Sequence, residues 1–124
     1  MGRYLVMVKA TDQSEAGDLP SEAMMQAMGA FNHAMIEAGA LHDGGGLLPT
    51  SDGARITFSR SGATVTNGPF KDKNLVSGFW IIEADSNDDA VTWMQRAPFS
   101  SVNQDTEIEI RKILGPEDFE EESE

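Results

Sequence analysis

The chain has no cysteine. That excludes a disulfide framework, a thiolate nucleophile and any cysteine-bearing zinc site. Basic residues are equally scarce: nine Lys and Arg face 21 Asp and Glu, for a net charge of -12. A surface of that sign repels phosphate backbones and anionic lipid, so neither nucleic acid nor membrane is expected as a partner. No apolar run approaches the length that spans a bilayer. With only two histidines, an oxygen-rich site is the one metal site left conceivable, and neither metal nor cofactor is expected. A Gly-x-Ser-x-Gly elbow is missing, which removes the usual serine hydrolase. Met1-Gly2-Arg3-Tyr4 runs straight into a strand pattern without an apolar leader, so the expected compartment is the cytosol.

What remains is enough for one ordinary domain: 124 residues, 40% of them hydrophobic, can bury a core without metals or crosslinks. The domain is expected over residues 1–115, followed by an acidic, disordered tail over 116–124; Glu117 to Glu124 alone hold six acidic side chains. Tyr4 to Val8 is an apolar run with the length of a buried strand, and a polar loop from Thr11 to Asp18 follows it. Asp18 and Ser21 both suit a helix cap. Met24, Met28, Phe31 and Met35 then recur at spacings of 4, 3 and 4, until Gly39 stops the helix. That spacing makes the methionines core packing rather than a thioether metal site.

Ala40 to Asp43 followed by Gly44-Gly45-Gly46 reads as a strand interrupted by a segment permitting close approach. Arg55 to Ser59 and Thr64 to Thr66 alternate on either side of Ser61-Gly62, the pattern of a hairpin. Leu75 to Ala84 is the next strand. Asp85-Ser86-Asn87 caps a short helix with Ala90, Val91 and Met94 inward, and Ile108 and Ile110 flank Glu109 in a last strand. The order is strand, helix, strands, helix, strand. It predicts an α+β, ferredoxin-like fold: an antiparallel sheet, two helices on one face and an extra central hairpin. Tyr4, Val6 and Val8 point one way and Leu5 and Met7 the other; Phe79 and Ile81 oppose Trp80 and Ile82. Two helices cover one apolar face only, and a second copy is the simplest cover for the other, which predicts a homodimer packed sheet to sheet.

Several stretches together carry a resemblance: Ala38-Gly39-Ala40-Leu41, Gly46-Leu47-Leu48-Pro49, Thr66-Asn67-Gly68-Pro69-Phe70, Gly78-Phe79-Trp80-Ile81-Ile82, and Asp89-Ala90 before Ala97-Pro98. From Tyr4 to Ile113 the sequence resembles the YCII-related proteins, and more closely the branch named for its Asp-Gly-Pro-Phe motif. The resemblance implies a dimeric α+β barrel and little about chemistry. Asn67 stands where that branch has aspartate, and Asp72-Lys73-Asn74 replaces a Glu-x-Lys-Glu pattern. The wider group's proposed His and Asp acid-base pair would align near Met28 and at Ala97. Neither residue moves a proton, so the resemblance does not carry that pair over.

Candidate site residues fall in two places. The loop from Asn67 to Asn74 suits a rigid turn, since Asn67 and Gly68 tolerate positive φ and Pro69 fixes φ. As one wall of a cleft, it would instead present Asn67, Gly68, Pro69, Phe70, Asp72 and Lys73 to a ligand, with Arg55 clamping a carboxylate. His42 and Asp43 are the adjacent imidazole and carboxylate, candidates for a general acid or base, although strand neighbours point to opposite faces. His42 as an ordinary strand-end residue is the competing reading, and His33 is expected to face solvent with Glu37. Gly44-Gly45-Gly46 lacks the Lys-Ser/Thr of a phosphate loop. Three functions follow: a module binding a small molecule without an acid-base pair, a small-molecule enzyme using His42 or Asp43, and a scaffold docking a protein partner.

Overall fold

The computed structural model describes residues 2–102 and 104–120. Four strands form one antiparallel sheet: β1 (Gly2–Lys9), β2 (Leu41–Gly46), β5 (Val76–Ala84) and β6 (Ile108–Lys112), in the order β2-β5-β1-β6. The hairpin of β3 (Ala54–Ser59) and β4 (Gly62–Asn67) is a separate two-stranded sheet. With α2 (Glu22–Glu37) and α3 (Asn87–Met94), this is the ferredoxin-like α+β plan with an inserted hairpin. A single helical turn, α1 (Asp12–Glu15), precedes α2. Among the described residues no helix is long and apolar enough to cross a membrane.

Strand position follows from side-chain pattern. β1 and β5 are apolar on both faces and take the two central positions, paired Leu5↔Ile81, Val6↔Trp80 and Met7↔Phe79. The glycine-bearing β2 and the charged β6 take the edges. Tyr4, Val6, Trp80 and Ile82 lie buried on the helix side with Phe31, Met35, Ala90 and Met94. Phe31 meets Trp80 edge to face, their ring centroids 5.7 Å apart.

The helix ends obey local chemistry. The Ser21 hydroxyl accepts from the Met24 N–H, so Ser21, not Asp18, caps α2. Gly39 adopts φ 72° just beyond the helix, a left-handed stop open to glycine at little cost. The expected polar loop from Thr11 contains α1, because Thr11 and Ser14 cap one another's backbone. Val91, expected inward on α3, is 36% exposed, and Ala90 and Met94 alone of that trio are buried. The expected acidic tail is described to Glu120, with a 3-10 turn at Pro116–Phe119; residues 121–124 lie outside the described residues.

The helix-free face of the sheet carries Leu5, Met7, Phe79 and Ile81, all half-buried. Charged pairs frame this strip: Arg3 with Glu83 at one end, Lys9 with Glu109 at the other. The Lys9 ammonium donates to Glu109 Oε1 at 3.0 Å. That hydrogen bond, with the charge behind it, holds the Glu109 carboxyl below its ordinary value of 4.5; Arg111 adds a smaller pull in the same direction. A lowered folded-state value contributes stability above pH 4.5, lost as pH falls through the folded value. Lys9→Met is therefore expected to raise the Glu109 titration midpoint toward 4.5, read by carboxyl-carbon NMR titration.

Candidate functional site

On the helix side, α2 does not lie flat along the whole sheet. Its first two turns stand away from β2 and β5 and leave a groove of about 800 Å³. Met24, Met25 and Met28 form one wall. Gly44, Gly45 and Gly46 contribute no side chains, so the floor opens onto Trp80; a Cβ at Gly44 would meet its ring at 3.0 Å. Phe99, Gln104 and Thr106 close the far side, and Gln13 and Ser14 of α1 reach the rim. At its base the Trp80 indole N–H donates to Asn32 Oδ1 at 2.9 Å, which fixes the ring. Lys9 and Asp18 are the ionisable residues of the lining, and Lys9 is spent on Glu109. The surface is therefore apolar and thioether-rich, with a few neutral hydrogen-bonding groups, the usual make-up of a small-molecule pocket.

The sequence candidates lie elsewhere, and in two separate places. Arg55 and Asp72 pair at 2.8 Å, with the Arg55 guanidinium 3.9 Å from the centre of the Phe70 ring. Asn67 and Lys73 are exposed. Neither Asn67 nor Gly68 adopts the positive φ expected of the turn; the left-handed residue is Asn74, at φ 67°. Gly68 is required for another reason, since a Cβ there would overlap the Thr50 carbonyl oxygen. The Gly68-Pro69 peptide is cis.

This loop is nevertheless tied to the groove. The Phe70 N–H donates to Thr50 Oγ1 at 2.9 Å, and that hydroxyl donates in turn to Glu15 Oε2 at 2.6 Å. The Thr50 N–H reaches Glu15 Oε1 at 2.9 Å. Glu15 belongs to α1, whose Gln13 and Ser14 border the groove. The Asn67-Phe70 segment thus braces the groove rim from behind, through Thr50 and Glu15. Sequence reading missed Glu15 and Thr50, because nothing in the spacing of 35 residues between them marks a contact.

His42 and Asp43 sit at an irregularity of β2. The register passes from Leu41↔Ile82 to Asp43↔Ile81, leaving His42 as the extra residue of a bulge. His42 Nδ1 lies 3.8 Å from Glu83 Oε2, beyond hydrogen-bond length. The Asp43 carboxylate accepts from the Gly44 N–H at 2.8 Å. Both side chains are exposed, and neither lines the groove. His33 is also exposed, with its Nε2 4.0 Å from Glu37. Among the described residues, no three His, Asp or Glu side chains gather as metal ligands do.

Among solved structures, the chain is similar to a dehydrochlorinase. The 5-chloro-2-hydroxyhydroquinone dehydrochlorinase TftG from Burkholderia phenoliruptrix AC1100, solved in complex with 2,5-dihydroxybenzoquinone, is 18% identical, with 86% of this chain and 90% of that chain covered and a TM-score of 0.49. No curated protein matches. The YCII-related domain matches residues 2–114, nearly all of the chain, which therefore belongs to the YCII-related family.

Proposed function

We propose that this YCII-related protein binds a small, largely apolar molecule in the groove between α2 and the sheet, and does so without an acid-base pair in that groove. The observation that carries this reading is the lining itself: about 800 Å³ walled by Met24, Met28, Trp80 and Phe99, with no imidazole in it. A general acid or base has to lie within hydrogen-bond reach of the reacting atom, directly or through one water. Met28, where the wider group's histidine would align, is one of the wall residues. Neutral donors and acceptors from Asn32, Gln104 and Thr106 suit an uncharged ligand carrying hydroxyl or carbonyl groups. The Asn67-Phe70 loop takes part by bracing the rim, consistent with the Asp-Gly-Pro-Phe branch, in which this motif is the signature.

The assembly proposed with this site is a homodimer through the helix-free face. Leu5, Met7, Phe79 and Ile81 form an apolar strip too continuous to leave in water, and a two-fold partner presents the same strip. Native mass spectrometry of the purified protein against a library of uncharged aromatic and aliphatic metabolites tests both parts. The expected result is a dimer retaining one small molecule per chain. A dimer that retains none of the library contradicts the groove reading, and a monomer contradicts the assembly.

A further inference from the structure

One amide at the base of the groove has its polarity fixed by its neighbour. Asn32 lies on the groove face of α2, one turn beyond Met28, and is half-buried. An asparagine side chain has an accepting end and a donating end, and its partners decide which way it points. Here the partner is the Trp80 indole N–H, 2.9 Å from Asn32 Oδ1. An indole nitrogen only donates, so the Asn32 oxygen has to face it and the NH2 group has to face away.

The indole cannot turn to release the amide. Trp80 is buried, with Phe31 and Phe99 meeting it edge to face at centroid distances of 5.7 and 6.4 Å. Gly44, its partner across β2, leaves room for Trp80 Cδ1, the ring atom beside the nitrogen. Among the described residues no other hydrogen bond involves the Asn32 side chain, and no side-chain nitrogen or oxygen without a partner is sealed from solvent. Asn32 Nδ2 is therefore an uncommitted donor, accessible in the groove that the residue lines. The hydroxyls of the same lining are committed the other way. Thr106 Oγ1 donates to the Lys9 carbonyl at 3.0 Å, and Ser77 Oγ to the Val8 and Lys9 carbonyls at 3.4 Å. Both keep only lone pairs for a ligand.

We infer that the Asn32 NH2 group selects the ligand of the groove for an uncharged acceptor oxygen, a carbonyl seated beside Trp80, and that Trp80 is the positioning residue that sets this polarity. This rests on the groove reading proposed above and names the group a ligand must present at this point. A carbonyl oxygen satisfies the donor without bringing a hydrogen of its own, and the apolar walls take the rest of the molecule.

Acetophenone and ethylbenzene share a skeleton and differ by one carbonyl oxygen, so together they isolate this contact. Each is titrated into the full chain and followed in a 15N-correlated NMR spectrum at the Trp80 indole and the Asn32 side-chain NH2. Acetophenone is expected to shift the Asn32 NH2 resonances, and ethylbenzene to leave them in place. Asn32→Asp, at about pH 8 where a carboxyl is ionised, still accepts from Trp80 but turns a lone pair toward the ligand. Burying that carboxylate costs both probes alike, so the readout is the ratio of their affinities. The preference for acetophenone over ethylbenzene is expected to fall at least tenfold, through loss of one hydrogen bond and opposition of two acceptors. The NH2 readout needs no variant and decides alone if Asn32→Asp does not fold. If both probes move Trp80 while the Asn32 NH2 stays in place and the ratio is unchanged, the donor inference is overturned and the groove stands. If neither probe moves Trp80, the groove reading fails and this inference with it.

Discussion

Gly68→Ala is expected to destabilise the protein by about 3 kcal/mol, the upper part of the range for forcing atoms into a packed site. In a chain of this length that is roughly a 10 °C fall in Tm. The reason is local and severe: the added methyl would occupy the place of the Thr50 carbonyl oxygen, which is backbone and has no rotamer to escape into. Relief requires moving either the Asn67-Phe70 loop or the Thr50–Asp52 turn. Either movement breaks the bond from the Phe70 N–H to Thr50 Oγ1, and with it the brace to Glu15. Asn67→Ala, at an exposed neighbouring side chain, is expected to cost under about 0.5 kcal/mol. Urea denaturation of the two variants checks the contrast. Equal effects would mean that the motif serves through its side chains rather than through the close approach of its backbone.

Met28→Glu is expected to reduce affinity for an uncharged ligand about 100-fold, or ~2.7 kcal/mol, while leaving the fold intact. Met28 is half-buried on the groove wall, so a carboxylate there still reaches water in the empty protein. Ligand binding would strip that water away, and no cation among the lining residues is free to compensate, since Lys9 is already paired with Glu109. Isothermal titration with any binder from the metabolite library measures the change, and circular dichroism confirms that the variant is folded. An unchanged affinity would place the ligand outside the groove, with the loop from Asn67 to Lys73 the next surface to test by Asp72→Asn and Lys73→Met.

The two variants probe features that differ in how far the sequence reveals them. The central strands were legible from Tyr4–Val8 and Gly78–Ile82 because apolar residues on both faces leave no other stable position in an antiparallel sheet. The hairpin was legible from the alternation of Arg55 to Ser59, which the strand register reproduces. The groove was not. Met24 and Met28 obey the same helical spacing as Phe31 and Met35, yet the first pair walls a cavity and the second is buried. Periodicity reports which residues share a face, not how far that face stands from its neighbour. Gly68 was readable as a turn residue, but its steric role depends on Thr50, 18 positions away, and becomes visible only when the two backbones are brought together. His42 drew attention as one of two histidines; Gly44-Gly45-Gly46 marked the strand as irregular, but not that the bulge would fall at His42 and set it near Glu83.

The central claim is that a small molecule binds between α2 and the sheet, and the protein carries its own reporter there. Of its two tryptophans, Trp80 lines the groove with its indole N–H on Asn32, whereas Trp93 lies outside it, beneath the Arg96 guanidinium. Their two indole resonances in a 15N-correlated NMR spectrum separate binding in the groove from binding anywhere else. Titration with a binder from the library is predicted to shift or broaden the Trp80 resonance and leave that of Trp93 in place, with the response lost in Met28→Glu. A saturable binder that leaves Trp80 unmoved would contradict the account.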